Sequence, residues 1–268
     1  MSDQTPPRDS QPEGDNETIT PVPEISETTT QPPVQVQVRL PDHPPKVTYT
    51  IMAVTVLVYL LQLGSKFLYG EDWVAYWGLK VNELILYGEV WRLFTPMLVH
   101  GGILHIAFNI YALYAFGPSL ERFYGHGRFL LLYIVSGFGG VAASFALTSA
   151  PSLGSSTAIF GLLGAQGVFA YLNQGVFGER ARKVLGSIIR IAGINLILGL
   201  TPGIDNWGHM GGLVSGLMVG WFGGPVFRLA GTATDMYLEN KRGVREFSLA
   251  VLGTGLVIGM VVVGVFVL

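Results

Sequence analysis

Ser156 stands in Gly154-Ser155-Ser156-Thr157-Ala158-Ile159-Phe160-Gly161 and His209 in Asn206-Trp207-Gly208-His209-Met210-Gly211-Gly212, each near the start of a hydrophobic segment. A hydroxyl beside an imidazole can act as a nucleophile, because the ring takes its proton as the oxygen attacks. Hydrocarbon tolerates few polar side chains, and those it keeps usually bind, conduct or catalyse. A nucleophile and a base at membrane depth point to peptide hydrolysis inside a bilayer. His105 and Asn109, four apart, share one helix face, and both can donate hydrogen bonds. Donors of that kind suit an oxyanion, each contributing roughly 3 kcal/mol. The simpler alternative is that the two bond to backbone or to each other.

The elements that must position these groups are membrane helices. Half of the 268 residues (50%) are hydrophobic and only 13% are charged, a profile that soluble domains rarely show. The absence of cysteine excludes disulfides, thiolate metal sites and a cysteine nucleophile. The net charge of -2 hides an asymmetry: the segment before Lys46 holds eight acidic and two basic side chains along with ten of the 15 prolines. That segment is expected to be disordered. It has neither the basic start nor the apolar core of a cleavable signal peptide, so the first hydrophobic helix is expected to do the targeting.

Spanning roughly 30 Å of hydrocarbon takes about 20 helical residues. Seven stretches qualify or nearly so: 48–67, 97–118, 128–148, 156–173, 184–201, 206–223 and 247–267. Basic residues gather in alternate loops (Arg122 and Arg128; Arg180, Arg182 and Lys183; Arg228, Lys241, Arg242 and Arg245), while 149–155 and 202–205 hold no Lys or Arg. Lys and Arg are retained inside, so the N-terminus is expected inside and the C-terminus outside. The long loop 68–96, with Trp73, Tyr76, Trp77 and Trp91, is read as a partly helical structure in the outer leaflet, whose blander alternative is an interface anchor.

With this orientation spans two, four and six all begin at the outer side, and His100, His105, Asn109, Ser156 and His209 gather in their first turns. Span four, at 1.5 Å per residue, reaches only about 26 Å, so its start is expected below the surface, under a water-filled pit. Gly208, Gly212, Gly216 and Gly220 repeat every four residues, the small-xxx-small spacing that lets helices approach closely, and Ala158, Gly161 and Ala165 offer a matching stripe. Asp205, four before His209, reads as an N-cap rather than a third catalytic member, which leaves a Ser–His dyad. Ser155 points roughly 100° away from Ser156.

Taken in order, the motifs resemble those of the rhomboid family of intramembrane serine proteases. Trp91-Arg92 is similar to its WR pair and His100 through Asn109 to HxxxxHxxxN. Glu121 through Gly125 is similar to ExxxG, Gly154-Ser155-Ser156 to GxS, and His209, Gly212 and Gly216 to HxxGxxxG. The resemblance implies an all-α polytopic bundle with a six-helix core and a seventh C-terminal helix. It divides the chain into a disordered cytoplasmic tail (1–46), a catalytic core (47–223), a cytoplasmic linker (224–246) and a seventh transmembrane helix (247–268). It further implies Ser156 as nucleophile, His209 as general base, and the Ser156 N–H, His105 and Asn109 as oxyanion donors. Phe160 would pack on the imidazole, with His100, Gly154, Gly212 and Gly216 in support and Trp91, Arg92 and Glu121 as loop braces. The family most often has Gly after the nucleophile; Thr157 stands there, and its extra bulk is expected to narrow the oxyanion pocket.

The expected activity is endopeptidase cleavage in or near transmembrane segments of other membrane proteins, single-pass or otherwise. The lipid bilayer is its setting, a bacterial plasma membrane, and no cofactor, metal or nucleic acid is called for. The resemblance implies that substrates reach the site beside span five, past 194–200, with the 201–204 loop as a lid. Two other classes compete: a pseudoprotease that binds clients uncut, and a proton or solute pathway through His105, Asn109 and His209. The first usually lacks the serine or histidine; the second lacks acidic or Lys relays within the spans and an internal repeat.

Overall fold

The computed structural model describes residues 1–2, 38–232 and 235–267. The chain divides into two units, Met1–Gln35 and Val36–Leu268; of the first only Met1 and Ser2 are described, and every element belongs to the second. The fold is an all-α polytopic bundle. In chain order its elements are β1 (Val38–Arg39), α1 (Lys46–Tyr69), α2 (Trp73–Gly78), α3 (Asn82–Leu86), α4 (Ile103–Tyr124), α5 (His126–Leu147), α6 (Ser156–Leu172), α7 (Gln174–Leu198), α8 (Asn206–Gly223), β2 (Phe227–Thr232), β3 (Asp235–Asn240) and α9 (Val244–Val267).

Four of these, α1, α4, α5 and α9, are long and apolar enough to cross a membrane, and α6 is a shorter apolar helix of 17 residues. The helices expected at 184–201 and 206–223 are present as α7 and α8 but are less apolar, α7 because Glu179, Arg180, Arg182, Lys183 and Arg190 lie along it. α6 is buried around most of its circumference, as a helix apolar on all sides must be. α5, α6 and α8 meet with backbones almost in contact: a Cβ on Gly212 would overlap the Thr157 carbonyl and one on Gly216 the Gly161 carbonyl. The glycine stripe of α8 thus meets the small stripe of α6, trading side-chain volume for close backbone packing.

Four boundaries depart from expectation. The fifth span, expected at 184–201, runs from Gln174 to Leu198 with a break in helical geometry at Gly178. The second span begins at Ile103, not at 97, because Thr95–Met97 forms a 3-10 turn around Pro96, and His100 therefore precedes the helix instead of opening it. The linker 224–246 is largely a β-hairpin, its strands β2 and β3 pairing from Phe227↔Asn240 to Thr232↔Asp235. Most of the segment expected to be disordered lies outside the described residues, but its end is ordered. β1 joins β3 in parallel, giving the order β1-β3-β2, Arg39 bonds Asp235, and Arg122 donates to the Pro41 carbonyl at 3.2 Å.

Between α1 and α4, residues 73–97 fold into α2, α3 and two 3-10 turns, a partly helical loop. At the opposite end, Glu121 of α4 reaches the first turn of α1, accepting from Val47 N and Thr48 N at 2.8 Å each and from Thr48 Oγ1 at 2.6 Å. Pro45 supplies no side-chain cap to α1, so a carboxylate 73 residues away satisfies N–H groups that a helix start leaves unpaired.

Candidate functional site

Ser156 is the first residue of α6 and is reached through the loop 148–155. Gly154 in that loop has φ +120°, a conformation that only glycine adopts without strain, and its N–H donates to the Pro96 carbonyl at 2.8 Å. A side chain there would also meet His105 Nε2 at 2.6 Å. Gly154 therefore lets the His105 ring lie directly against the turn before Ser156.

His209 sits in the first turn of α8, where Asp205 caps the helix by accepting from Gly208 N at 2.9 Å. Close α6–α8 packing carries its ring to the start of α6, and His209 Nε2 lies 2.9 Å from Ser156 Oγ. Phe160, four residues after Ser156, stacks on that ring with centroids 4.3 Å apart and planes 11° from parallel. His209 Nδ1 has no hydrogen-bond partner, and the free Asp205 oxygen, Oδ2, has none either. Ser156, His105 and His209 are half-buried, whereas Ser155 and Thr157 on either side of Ser156 are buried.

Gly101 N donates to His105 Nδ1 at 3.3 Å. A neutral ring that accepts at Nδ1 carries its proton on Nε2, so the nitrogen facing Gly154 is a donor. Asn109, buried one turn on, donates from its amide to the His105 carbonyl at 2.9 Å, the backbone bond that its spacing left open, and keeps a second N–H. A half-buried hydroxyl in contact with an imidazole and flanked by ring and amide N–H groups has the parts for acyl transfer.

The surrounding residues hold this geometry. His100 is buried, and its Nε2 lies 3.3 Å from Ser155 Oγ. Ser155 is thus engaged with a different histidine from the one facing Ser156. Gln62 of α1 clamps the His100 backbone from both sides, accepting from its N–H at 2.9 Å and donating to its carbonyl at 3.0 Å. Arg92, fully buried, donates to Glu89 and to the Tyr76 and Leu79 carbonyls, and Trp91 donates to the Trp77 carbonyl. Both tie the outer loop to itself. Glu121, sixteen residues beyond His105 or about 24 Å along the helix, belongs to the α1 cap and not to this site. The Thr157 side chain packs between Gly140 of α5 and Gly208 of α8, while Gly212 abuts the Thr157 backbone.

Sequence reasoning passed over Gln62, Lys80 and Asn82. Each is a polar side chain bonded to backbone far away in the chain; Gln62 and Lys80 are buried and Asn82 is half-buried. Among the described residues no group of three or more His, Asp or Glu side chains is arranged to hold a metal.

Comparison with known proteins brings a family to this geometry. The family model described as "Rhomboid domain" matches residues 87–226. The chain is 45% identical to rhomboid protease GluP of Bacillus subtilis (strain 168) over 174 residues, which cover 64% of this chain and 34% of that protein. It is 38% identical over 160 residues to RHOMBOID-like protein 9, chloroplastic, of Arabidopsis thaliana, covering 59% of this chain and 37% of that one. RHOMBOID-like protein 6, mitochondrial, from the same plant is 38% identical over 141 residues, 52% of this chain and 46% of the relative. The matched region thus spans between a third and a half of these relatives' lengths.

Proposed function

The chain belongs to the rhomboid family, and from that premise we propose that it is an intramembrane serine endopeptidase cutting peptide bonds in or near transmembrane segments of other membrane proteins. It is an integral membrane protein whose polar groups gather at one end of α4, α6 and α8. The observation that carries the reading is the 2.9 Å approach of His209 Nε2 to Ser156 Oγ, with both residues half-buried.

In the proposed mechanism neutral His209 takes the Ser156 proton as Oγ attacks the scissile carbonyl. The oxygen of that carbonyl becomes an anion, met by the Ser156 N–H, the His105 Nε2–H and the second Asn109 amide N–H. His209 then gives its proton to the leaving amine, and water, activated by the same ring, hydrolyses the acyl-enzyme. Among the described residues no carboxylate bonds to the imidazole; Phe160 stacking and the α8 backbone orient it. By the charge of its loops the site faces outward from a bacterial plasma membrane, with the N-terminus inside and the C-terminus outside.

The test is cleavage of a single-span reporter in liposomes by wild type, Ser156→Ala and His209→Ala. Product from wild type alone supports the protease. Equal capture of the reporter by all three without product overturns it in favour of a client-binding protein.

A further inference from the structure

Lys80 lies in the turn between α2 and α3 and is completely buried. Its Nζ donates to the Thr148 carbonyl at 2.9 Å, to Ser144 Oγ at 3.0 Å and to the Ser144 carbonyl at 3.2 Å. These acceptors stand at the C-terminal end of α5, where the helix dipole favours a cation; the Ser144 carbonyl also accepts from the Thr148 N–H at 3.0 Å. Asn82 adds bonds to the Phe145 and Thr148 carbonyls at 2.9 and 3.1 Å. The Lys80 backbone also pairs with Ser152 in both directions, at 2.9 and 3.2 Å.

The stretch from Thr148 to Gly154 is thereby held at three points: Thr148 by Lys80 and Asn82, Ser152 by the Lys80 backbone, and Gly154 by the Pro96 carbonyl. All three anchors belong to the loop between α1 and α4, and Ser156 follows two residues later. An ammonium is costly to desolvate, and an apolar side chain would fill the same space without that penalty. What the ammonium adds is direction, since its three N–H groups fix three acceptors at once.

We propose that Lys80 is a positioning residue for the serine chemistry: it ties the end of α5 and the loop before Ser156 to the outer loop, and so sets where Gly154 and Ser156 stand against His105. The inference rests on the protease reading. Lys80 is itself closed to substrate, so its loss is felt in kcat and not in KM.

The test compares wild type, Lys80→Met, Lys80→Arg and the double variant Lys80→Cys/Ser152→Cys, each as the whole chain in liposomes. Reporter kinetics, thermal stability and amide hydrogen exchange over 149–155 are read out. The chain has no cysteine of its own, so a crosslink in the double variant is the designed one. Cα atoms of a hydrogen-bonded antiparallel pair lie about 5.5 Å apart, within reach of a disulfide.

Lys80→Met is expected to lower kcat by about 10- to 100-fold with KM within about 2-fold of wild type, as small misplacements of reacting groups do. Exchange over 149–155 should accelerate by about tenfold while the α6 core keeps its protection. Lys80→Arg, which keeps the charge, should recover part of kcat. Oxidation of the cysteine pair should restore kcat to within about 3-fold of wild type, and reduction should remove it again. Unchanged exchange in Lys80→Met overturns the inference whether or not wild type cuts, as does a change confined to KM or a folded, crosslinked protein without recovered kcat. A wild type that cuts nothing, with exchange still accelerated in Lys80→Met, overturns the protease reading and leaves the loop anchor standing.

Discussion

The Phe160 ring lies nearly flat on the His209 imidazole, 4.3 Å between centroids and 11° between planes, while the outer nitrogen of that imidazole bonds to nothing. In a triad a carboxylate holds the base at that nitrogen. Here Nδ1 has no such partner and an aromatic face lies against the ring, with Nε2 on Ser156; under the proposed mechanism that face restricts rotation of the base. Replacing Phe160 with Leu keeps apolar volume but loses the stack, which contributes about 0.5–1.5 kcal/mol in comparable pairs. The expected result is a fall in kcat of up to about tenfold, with Phe160→Tyr close to wild type, read from reporter kinetics at saturating substrate.

Asp205 offers the complementary case. Its Oδ1 accepts from Gly208 N, the bond of a helix cap, and its Oδ2 has no partner. Asp205→Ala should cost about 1 kcal/mol of stability, the usual worth of an N-cap. Its kcat should fall less than about tenfold, against roughly 10⁴ where a carboxylate truly orients the base. Parallel unfolding and kinetic measurements separate the two; a loss near the larger figure in a folded protein would make Asp205 a third member.

How far the sequence foretold this arrangement depends on the reach of each interaction. The four-residue glycine spacing of α8 and the small residues of α6 are local patterns with one good solution, close helix packing, and that packing brings His209 to Ser156. The cap on α1 is not local: nothing near Pro45 shows that Glu121 will supply it. Nor does a lone Lys80 in a polar turn announce that its acceptors lie 64 and 68 residues on. The start of α4 was misplaced for a different reason. Met97, Leu98 and Val99 continue the apolar pattern, but the turn at Pro96 and the extended Gly102 withhold the helix until Ile103. β1 escaped notice because two residues in a Pro-rich tail become a strand only when β3, nearly 200 positions later, offers an edge.

Thr157 fits because its neighbours are glycines. A Cβ on Gly140 would stand 2.5 Å from the Thr157 Cβ and 2.6 Å from the Gly208 carbonyl, neither of which can move freely. Gly140→Ala should therefore destabilise the protein by about 1–3 kcal/mol, the usual cost of overpacking. Adding Thr157→Gly relieves the first clash and leaves the second. The pair should show a coupling of at least about 0.5 kcal/mol in a double-mutant cycle on thermal or denaturant unfolding. Strict additivity would mean that Thr157 does not pack against Gly140.

Lys80 makes the pH dependence of the site specific. Burial pulls its pKa from the ordinary 10.5 down to about 8, against the opposing pull of the Asp205 and Glu83 carboxylates. The folded protein thus holds this proton more weakly than the unfolded chain. Between about pH 8 and 10.5 the unfolded state binds more protons, so the contribution of Lys80 to stability rises with pH across that window and is at its lowest below it. Activity should move the other way. A neutral amine has two N–H groups for three acceptors, so one contact to Ser144 or Thr148 is lost and the loop before Ser156 loosens. The expected profile is a fall in kcat with a midpoint near pH 8 and no matching drop in melting temperature, absent from Lys80→Met and Lys80→Arg. A limb at the same pH in both variants would assign it to another group, and a melting temperature that falls in step with kcat would make it plain unfolding.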